Sequence, residues 1–388
     1  MSKNINRIGA LFFYIAFVLY LLWGCFRDIN VNIPYKHLTA NLSVIFSCIC
    51  ILLRYPFTFW RILFLLVFTG TTIYLKYTHI ESNFLLPLSF LIFAAYKVDL
   101  DKIVRLLFKT TLISTSIVIL LSLLGIIEDK IYYHSIYGIE METHSMGFTY
   151  YSFFAFRFMT IFFSYIYIKR DTLGFLSMAF LLFLSVQVYF LSTTRLQLIS
   201  SLIFLALYLF VYKFRFISFN SKIWGLASII VFPLFFLSYN ILPLSIIVSP
   251  DLYDWWDELF QGRMTATIQG FMQYPVSLWG NEVEMSGVLQ MEEGATSYFY
   301  IDCAYAYWLL VYGVFFSILT ILAHTIVFYR AYREKNIIIY IWCIVIALTY
   351  FINDLFTYSY FSPIVIFLFS NFTSYHNIRW RKKLLLIK

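Results

Sequence analysis

Charge is the scarcest feature of this chain. Asp, Glu, Lys and Arg make up 12% of its 388 residues, against about 25% in an ordinary soluble domain. In their place stand hydrophobic residues, 62% of the total, and mean hydropathy is +0.81. No soluble fold hides that much apolar surface, so lipid must be the solvent for most of the chain. A soluble enzyme, a secreted disulfide scaffold and a disordered protein are excluded. Cysteine is sparse too, five in all. Cys48 and Cys343 sit inside apolar runs, Cys48 and Cys50 project from different sides of a helix, and no Cys-x-x-Cys pair occurs, so no disulfide framework is indicated. No Walker loop, Gly-x-Gly-x-x-Gly, His-Glu-x-x-His or Cys/His metal cluster appears, which leaves no metal and no cofactor to expect. The apolar runs are continuous rather than alternating, which excludes a membrane barrel.

What is there fits a helical membrane protein. Spanning helices need roughly 20 apolar residues each, so about 12 of them would use roughly 240 residues, close to the apolar total. Apolar runs fall at 8–24, 39–53, 62–75, 84–96, 106–125, 148–168, 172–191, 196–212, 223–242, 301–328, 337–352 and 355–372. The first lacks a small-residue cleavage site and reads as an uncleaved span. With the N-terminus in the cytoplasm, the inside segments hold 21 of the 28 Lys and Arg, and 16 of the 20 acids lie outside. That is the positive-inside pattern. Both termini are then cytoplasmic, and the tail Arg379–Lys388 is suitably basic. The net charge of +8 reflects this sorting and not a nucleic-acid surface.

The chain divides into helices 1–9 with short loops over 1–242, a large extracytoplasmic loop over 243–300, and helices 10–12 with the tail over 301–388. The segment 126–147 is the other long outside connection. In the large loop, Ser249-Pro250-Asp251 signals a helix start and Gly262 a stop, predicting a short helix over 250–261. Its Trp255 and Trp256 suggest that it lies on the membrane surface. A second short helix is predicted from Thr265 to Gln273, ended by Pro275.

Several residues on the outer side could carry chemistry. Arg157 lies near the middle of the sixth run, where an arginine pairs with a partner or faces a water-filled cavity. Arg195 ends the polar knot Ser192-Thr193-Thr194-Arg195 at the start of the eighth run. An arginine at a helix N-terminus suits a phosphate-bearing headgroup, or simply anchors the helix at the interface. Arg263 follows Gly262 in the loop; Asp254, Asp257 and Glu258 near it read as a solvated helix face. Asp302 opens the tenth run, either as a cap of the helix dipole or as a general base at the boundary. His144 and Asp354 stand at other span ends on the same side. Asp99-Leu100-Asp101 is formally a DxD motif, but its Lys- and Arg-rich surroundings read as a solvated loop. One physical account joins these residues. Arginines hold a lipid diphosphate and stabilise its departure, an outside base activates a sugar hydroxyl, and aromatics, 22% of the chain, hold the sugars.

Four short blocks resemble one family. They are Ser192-Thr193-Thr194-Arg195; Gly262-Arg263 followed by Pro275 and Trp279-Gly280; Ile301-Asp302 with Tyr305 and Tyr312-Gly313; and, more loosely, His144-Ser145-Met146-Gly147-Phe148. With Asn353-Asp354 near the last spans, their order is similar to that of the O-antigen and capsular polysaccharide polymerases (Wzy type), relatives of the O-antigen ligases. The resemblance covers most of residues 140–360. It implies a GT-C-like fold in the bacterial cytoplasmic membrane with an outward-facing, metal-independent active site. The donor and acceptor would be undecaprenyl-diphosphate-linked glycans, joined with inversion at the anomeric carbon. Asp302 or His144 would be catalytic. Arg157, Arg195, Arg263, Trp255, Trp256, Tyr305 and Asp354 would bind substrate. A chain-length regulator and a flippase would be partners. The alternatives are a ligase, whose relatives commonly carry His where Asp302 stands, and a lipid-linked oligosaccharide flippase. A flippase would usually have more than 14 Gly and no 58-residue outer loop.

Overall fold

The computed structural model describes residues 2–78, 83–136, 139–214, 219, 221–260, 262–287, 299–354, 358 and 360–372. The stretch 288–298 of the large loop and the basic tail 373–388 lie outside the described residues. The fold is all-α and polytopic. Among the described residues, nine helices are long and apolar enough to cross a membrane. Eight are α1 (Ser2–Asp28), α2 (Lys36–Arg54), α3 (Phe59–Thr78), α5 (Leu100–Leu123), α6 (Tyr151–Lys169), α7 (Phe175–Ser192), α8 (Arg195–Leu207, extended by a π-helical turn to Lys213) and α9 (Lys222–Ile241). The ninth, α12, runs over Ala304–Arg333. Their outer surfaces carry exposed Leu, Ile and Phe, such as Leu176, Phe183 and Phe190 on α7, as lipid-facing helices must. Local chemistry sets the ends. Asp99 caps α5 by accepting from the Asp101 N–H, and Ser221 caps α9 by accepting from Ile223. Arg54, Lys169 and Arg333 close the last turns of α2, α6 and α12, where the helix dipole favours cations.

Three of the twelve predicted runs take a different form. The fourth is α4 (Leu85–Ala94), only ten residues, about 15 Å of a core roughly 30 Å thick. The eleventh is α13 (Ile337–Thr349), thirteen residues. The twelfth is a 3₁₀ stretch, Pro363–Phe369, with Ser362 extended before it. Proline removes a backbone donor there, and the stretch survives because protein surrounds it. Arg330 donates to the carbonyls of Phe367, Leu368 and Ser370, and the Lys97 N–H donates to Phe369.

Contacts between helix ends sort into two sets. In the first, Asp101 meets Arg170, Tyr212 meets Asp171, Tyr332 meets Ser221, and Asp99 bridges to Asn371. In the second, Ile29 bridges to Phe148, Asn30 to Glu128, Thr143 to Thr193, and Tyr239 to Thr267. These are the two faces of the bundle. The first carries the Lys- and Arg-rich segments and is called here the basic face. The second is the hairpin face, because residues 126–147 form a feature the sequence reading did not anticipate: an antiparallel hairpin of β1 (Ile131–Ile136) and β2 (Ile139–His144), pairing Ile131 with His144. The Asp99-Leu100-Asp101 motif is not a solvated loop. Asp99 is the cap of α5, and Asp101 pairs with Arg170 at 3.4 Å and accepts from the Tyr167 hydroxyl.

The large loop holds α10 (Pro250–Leu259) and α11 (Arg263–Gln273), close to prediction. Ser249 caps α10, and Gly262 at φ 80° makes the turn between the two helices. Beyond Pro275 the loop docks into a break in α12. That helix starts as Ala304–Tyr307, becomes π-helical over Trp308–Tyr312, and restarts at Gly313, φ 84°. The break frees backbone groups, and the loop satisfies them. The Asn281 N–H and side-chain amide donate to the Leu310 carbonyl at 3.0 and 2.9 Å, and the N–H groups of Val314 and Phe315 donate to Ser277 and Leu278. Irregular backbone is tolerated at such a place only when protein pairs it.

Candidate functional site at the hairpin face

Arg263 and Asp302 come together, though 39 residues separate them in the chain. Arg263 Nε lies 3.4 Å from Asp302 Oδ2, and their side chains are 21% and 26% exposed, so both can meet a ligand. Each is set by neighbours. Arg263 is the first residue of α11, fixed after the Gly262 turn. Asp257 caps that helix, accepting from the N–H groups of Met264 and Thr265, both at 3.0 Å, and from the Thr265 hydroxyl. Asp257 is therefore a cap and not part of a solvated face. Asp302 follows Ile301, which is buried against Gly270 of α11; a Cβ at Gly270 would stand 3.1 Å from Ile301 Cδ1. Helix α12 begins only at Ala304, and no side chain caps it, so Asp302 is not its hydrogen-bonding cap. Burial raises the Asp302 carboxyl pKa above the ordinary range, and the Arg263 charge opposes that rise.

Tyr151, the first residue of α6, lies within electrostatic reach of both charges. Its hydroxyl is bonded to that of Tyr150 at 2.8 Å, and both rings pack against Tyr132 of the hairpin. The sequence reading missed these tyrosines. Their signal was the tandem Tyr150-Tyr151 at a predicted span start.

The other expected residues are distributed unequally. His144 ends β2, with Nδ1 2.7 Å from Asp129 Oδ2; Asp129 also accepts from the Met146 N–H. Arg195 stands where the sequence put it, at the first turn of α8. Thr193 in the left-handed conformation (φ 47°) turns the chain between α7 and α8 and bonds to Thr143 of the hairpin at 2.9 Å. Trp255 is exposed at 55% and offers an open ring face beside Trp256, which stacks on Phe260. Asp354 is buried and accepts from the Tyr300 hydroxyl at 3.0 Å.

Two expectations meet a physical obstacle. Tyr305 is fully buried, its hydroxyl donating to the Ala347 carbonyl at 2.9 Å and its ring enclosed by Trp308, Tyr350 and Phe351. No ring face is left for a sugar. Arg157 is six residues inside α6, about 9 Å from its start and near the middle of the helix, as expected. Its guanidinium pairs with Asp28 at 2.8 Å, with 2% and 0% of the two side chains exposed. Phe148, Tyr360 and Phe361 surround it. Asp28, at the end of the first span, is the partner that the sequence reading did not name.

Among the described residues, no three His, Cys, Asp or Glu side chains converge as a metal-ion site would require. No protein-family model matches the chain, and neither a curated protein nor a solved structure matches it.

Proposed function

We propose that this protein joins lipid-linked saccharide repeat units into a longer glycan at its hairpin face. The donor is a glycan on undecaprenyl diphosphate. A hydroxyl of the acceptor unit attacks the anomeric carbon, the bond from that carbon to the diphosphate oxygen breaks, and the lipid diphosphate leaves. The anomeric centre inverts. Asp302 takes the hydroxyl proton, and Arg263 and Arg195 neutralise the charge that grows on the leaving diphosphate. The Arg263–Asp302 pair carries this reading. It puts a carboxylate of raised basicity beside a guanidinium, at a membrane boundary and partly open. An arriving diphosphate competes for Arg263 and releases Asp302 toward the hydroxyl. Trp255 is the ring available for a sugar. This reading includes a GT-C-like fold of twelve passes, three of them supplied by α4, α13 and the 363–369 stretch. It also puts both termini on the cytoplasmic side of a bacterial inner membrane, with chain-length regulator and flippase as neighbours.

The test uses purified full-length protein and a synthetic lipid-diphosphate repeat unit, with and without EDTA. Asp302→Asn is expected to slow elongation by about 10²–10⁴-fold while donor binding persists. Arg195→Ala weakens binding as well, and Arg195→Lys restores little, because an ammonium lacks the planar fork that matches phosphate. The base must be deprotonated, so activity falls as pH drops through the raised Asp302 value. Arg263→Gln removes the charge that opposes the rise and moves this acid limb to higher pH. Near-normal turnover by Asp302→Asn removes Asp302 as the base, and activity lost to EDTA overturns the metal-free reaction. Transfer onto a lipid-A core instead of a second repeat unit makes the protein a ligase.

Sidedness is tested separately. A cysteine at Ser286 is expected to react with an impermeant maleimide added outside intact cells, and one at Ser221 to stay unlabelled until the membrane is opened. The reverse pattern turns the site toward the cytoplasm and ends this reading.

A further inference from the structure

Helix α10 has three sides. At about 100° per residue, Trp255, Leu259, Leu252 and Trp256 share about 100° of arc, and Leu252, Trp255 and Leu259 are exposed. Asp251, Asp254 and Glu258, all exposed, share a second arc. The third side faces protein: Tyr253 is buried with its hydroxyl bonded to that of Thr265 at 2.8 Å, and Asp257 caps α11. What covers the apolar side follows from the chain before it. Helix α9 continues as short turns, and the whole span, Lys222–Ile247, is the least buried of the nine among the described residues. Its exposed row of Leu234, Leu237, Ile241, Leu244 and Ile247 faces lipid. Helix α10 starts three residues later, at the perimeter of the bundle, and turns back along this span instead of away from it. Phe260, just past its end, packs on Tyr239 at 6.0 Å and stacks on Phe351, and the Tyr239 hydroxyl meets that of Thr267 in α11 at 3.3 Å. Tyr239 is eight residues before Ile247, about 12 Å down the span. The span is about 39 Å long against roughly 30 Å of hydrocarbon. Ile247 therefore stands among the headgroups and Tyr239 near the edge of the acyl region. The lipid that covers Ile241 and Ile247 continues onto Leu252 and Leu259.

We infer that α10 is an interfacial helix seated in the lipid leaflet at the hairpin face. Leu252 and Leu259 enter the acyl region, Trp255 lies at the headgroups, and the three acids face water. Arg263 follows Phe260 by three residues, so the same helix holds the Arg263–Asp302 pair at the depth of the lipid phosphates. Resting on the proposed reaction, this is the depth at which a membrane-anchored diphosphate is met.

The test places a nitroxide spin label, one at a time, on Leu252→Cys, Leu259→Cys, Asp254→Cys and Glu258→Cys in the full-length protein in phosphatidylcholine nanodiscs. Cys48, the one native cysteine that is not buried, is replaced by Ala. Labels at 252 and 259 are expected to collide more with oxygen, which concentrates among acyl chains, than with a water-soluble nickel chelate. Labels at 254 and 258 should show the reverse. Nickel favoured at all four positions puts α10 in water and overturns the inference. Protection from both reagents at 252 and 259 means that protein, a second copy or another chain, covers that side, and overturns it equally. Leu252→Glu with Leu259→Glu is expected to lift the helix and raise KM for an undecaprenyl-linked donor by about tenfold or more, the effect of withdrawing a leucine from lipid. KM for a water-soluble, short-chain donor should not change. An equal rise for both donors, or none for either, removes α10 as the element that sets the depth of the site. The elongation assay separates the two readings. The oxygen pattern without elongation by the wild type sinks the polymerase and keeps the interfacial helix, and elongation with all four labels in water does the opposite.

Discussion

Arg157→Ala is expected to cost about 3–5 kcal/mol of stability and to deplete the protein from the membrane, because it leaves the buried Asp28 carboxylate without its charge partner. Asp28 Oδ2 accepts from Arg157 Nη2 at 2.8 Å, and Oδ1 stands 3.3 Å from both Arg27 Nε and the Tyr360 hydroxyl. These contacts tie the end of α1 to α6 and to the last described segment, three parts of the chain that meet nowhere near one another in sequence. Removing both charges should hurt less than removing one. Asp28→Leu with Arg157→Leu is expected to recover most of the loss, since apolar pairs often replace buried ion pairs without penalty. The recovery stays partial because Arg27, stacked on Tyr358 at 4.1 Å, loses its carboxylate too. Membrane-fraction immunoblots and thermal unfolding in detergent measure this. Normal amounts of an Arg157→Ala protein that makes no long glycan would instead return Arg157 to the substrate site.

The same residue shows where sequence reasoning reached and where it stopped. That Arg157 is buried and needs a partner follows from one charge inside an apolar run. Which partner it has does not, because Asp28 is 129 residues away and reads locally as the polar end of α1. The nine long helices were legible because lipid imposes a length and an apolar composition on each. The twelfth run was not, because its hydropathy says only that it is buried; the 3₁₀ stretch depends on Arg330 and residues 97–100 taking up its backbone groups. The hairpin is not legible because the 126–147 segment shows in sequence only as a long outside connection. At the site, Arg263 reads from sequence as a loop arginine after Gly262, and Asp302 as an acid opening a span. Their meeting depends on Ile301 packing against Gly270, a contact no periodicity announces. Tyr305 was misjudged for a related reason. An aromatic near a charged residue reads alike whether its ring faces a sugar or, as here, the core.

Gly313→Ala is expected to undo the docking of the large loop, and with it the Arg263–Asp302 geometry, without touching either residue. Two sequence blocks that looked separate, Trp279-Gly280 and Tyr312-Gly313, are one joint. A Cβ at Gly313 would stand 2.3 Å from the Gly280 nitrogen, and one at Gly280 would stand 2.0 Å from the Val311 oxygen. Both glycines have positive φ, 84° and 82°, and Gly313, with ψ 172°, lies in a region essentially reserved for glycine, which costs other residues about 1–3 kcal/mol before any clash. The clash is with backbone, so the loop must move. Moving it leaves the Leu310 carbonyl and the N–H groups of Val314 and Phe315 without the partners they have now. Each such group left unpaired costs about 1–3 kcal/mol, so undocking amounts to about 3 kcal/mol or more in total. Asn281→Ala removes the two side-chain bonds to Leu310 and Pro275 and should act in the same direction, more weakly. The loop leaves α11 just before Pro275, so its release loosens the helix that begins with Arg263. The expected results are rapid hydrogen exchange and protease cleavage over 275–281, a lower melting temperature, and elongation lost along with them. Gly70→Ala is the control: nothing lies within 4 Å of its Cβ, and in the middle of α3 it should gain about 0.5–1 kcal/mol. A Gly313→Ala protein that melts with wild type and keeps 275–281 protected would show that the joint at the α12 break does not hold the loop.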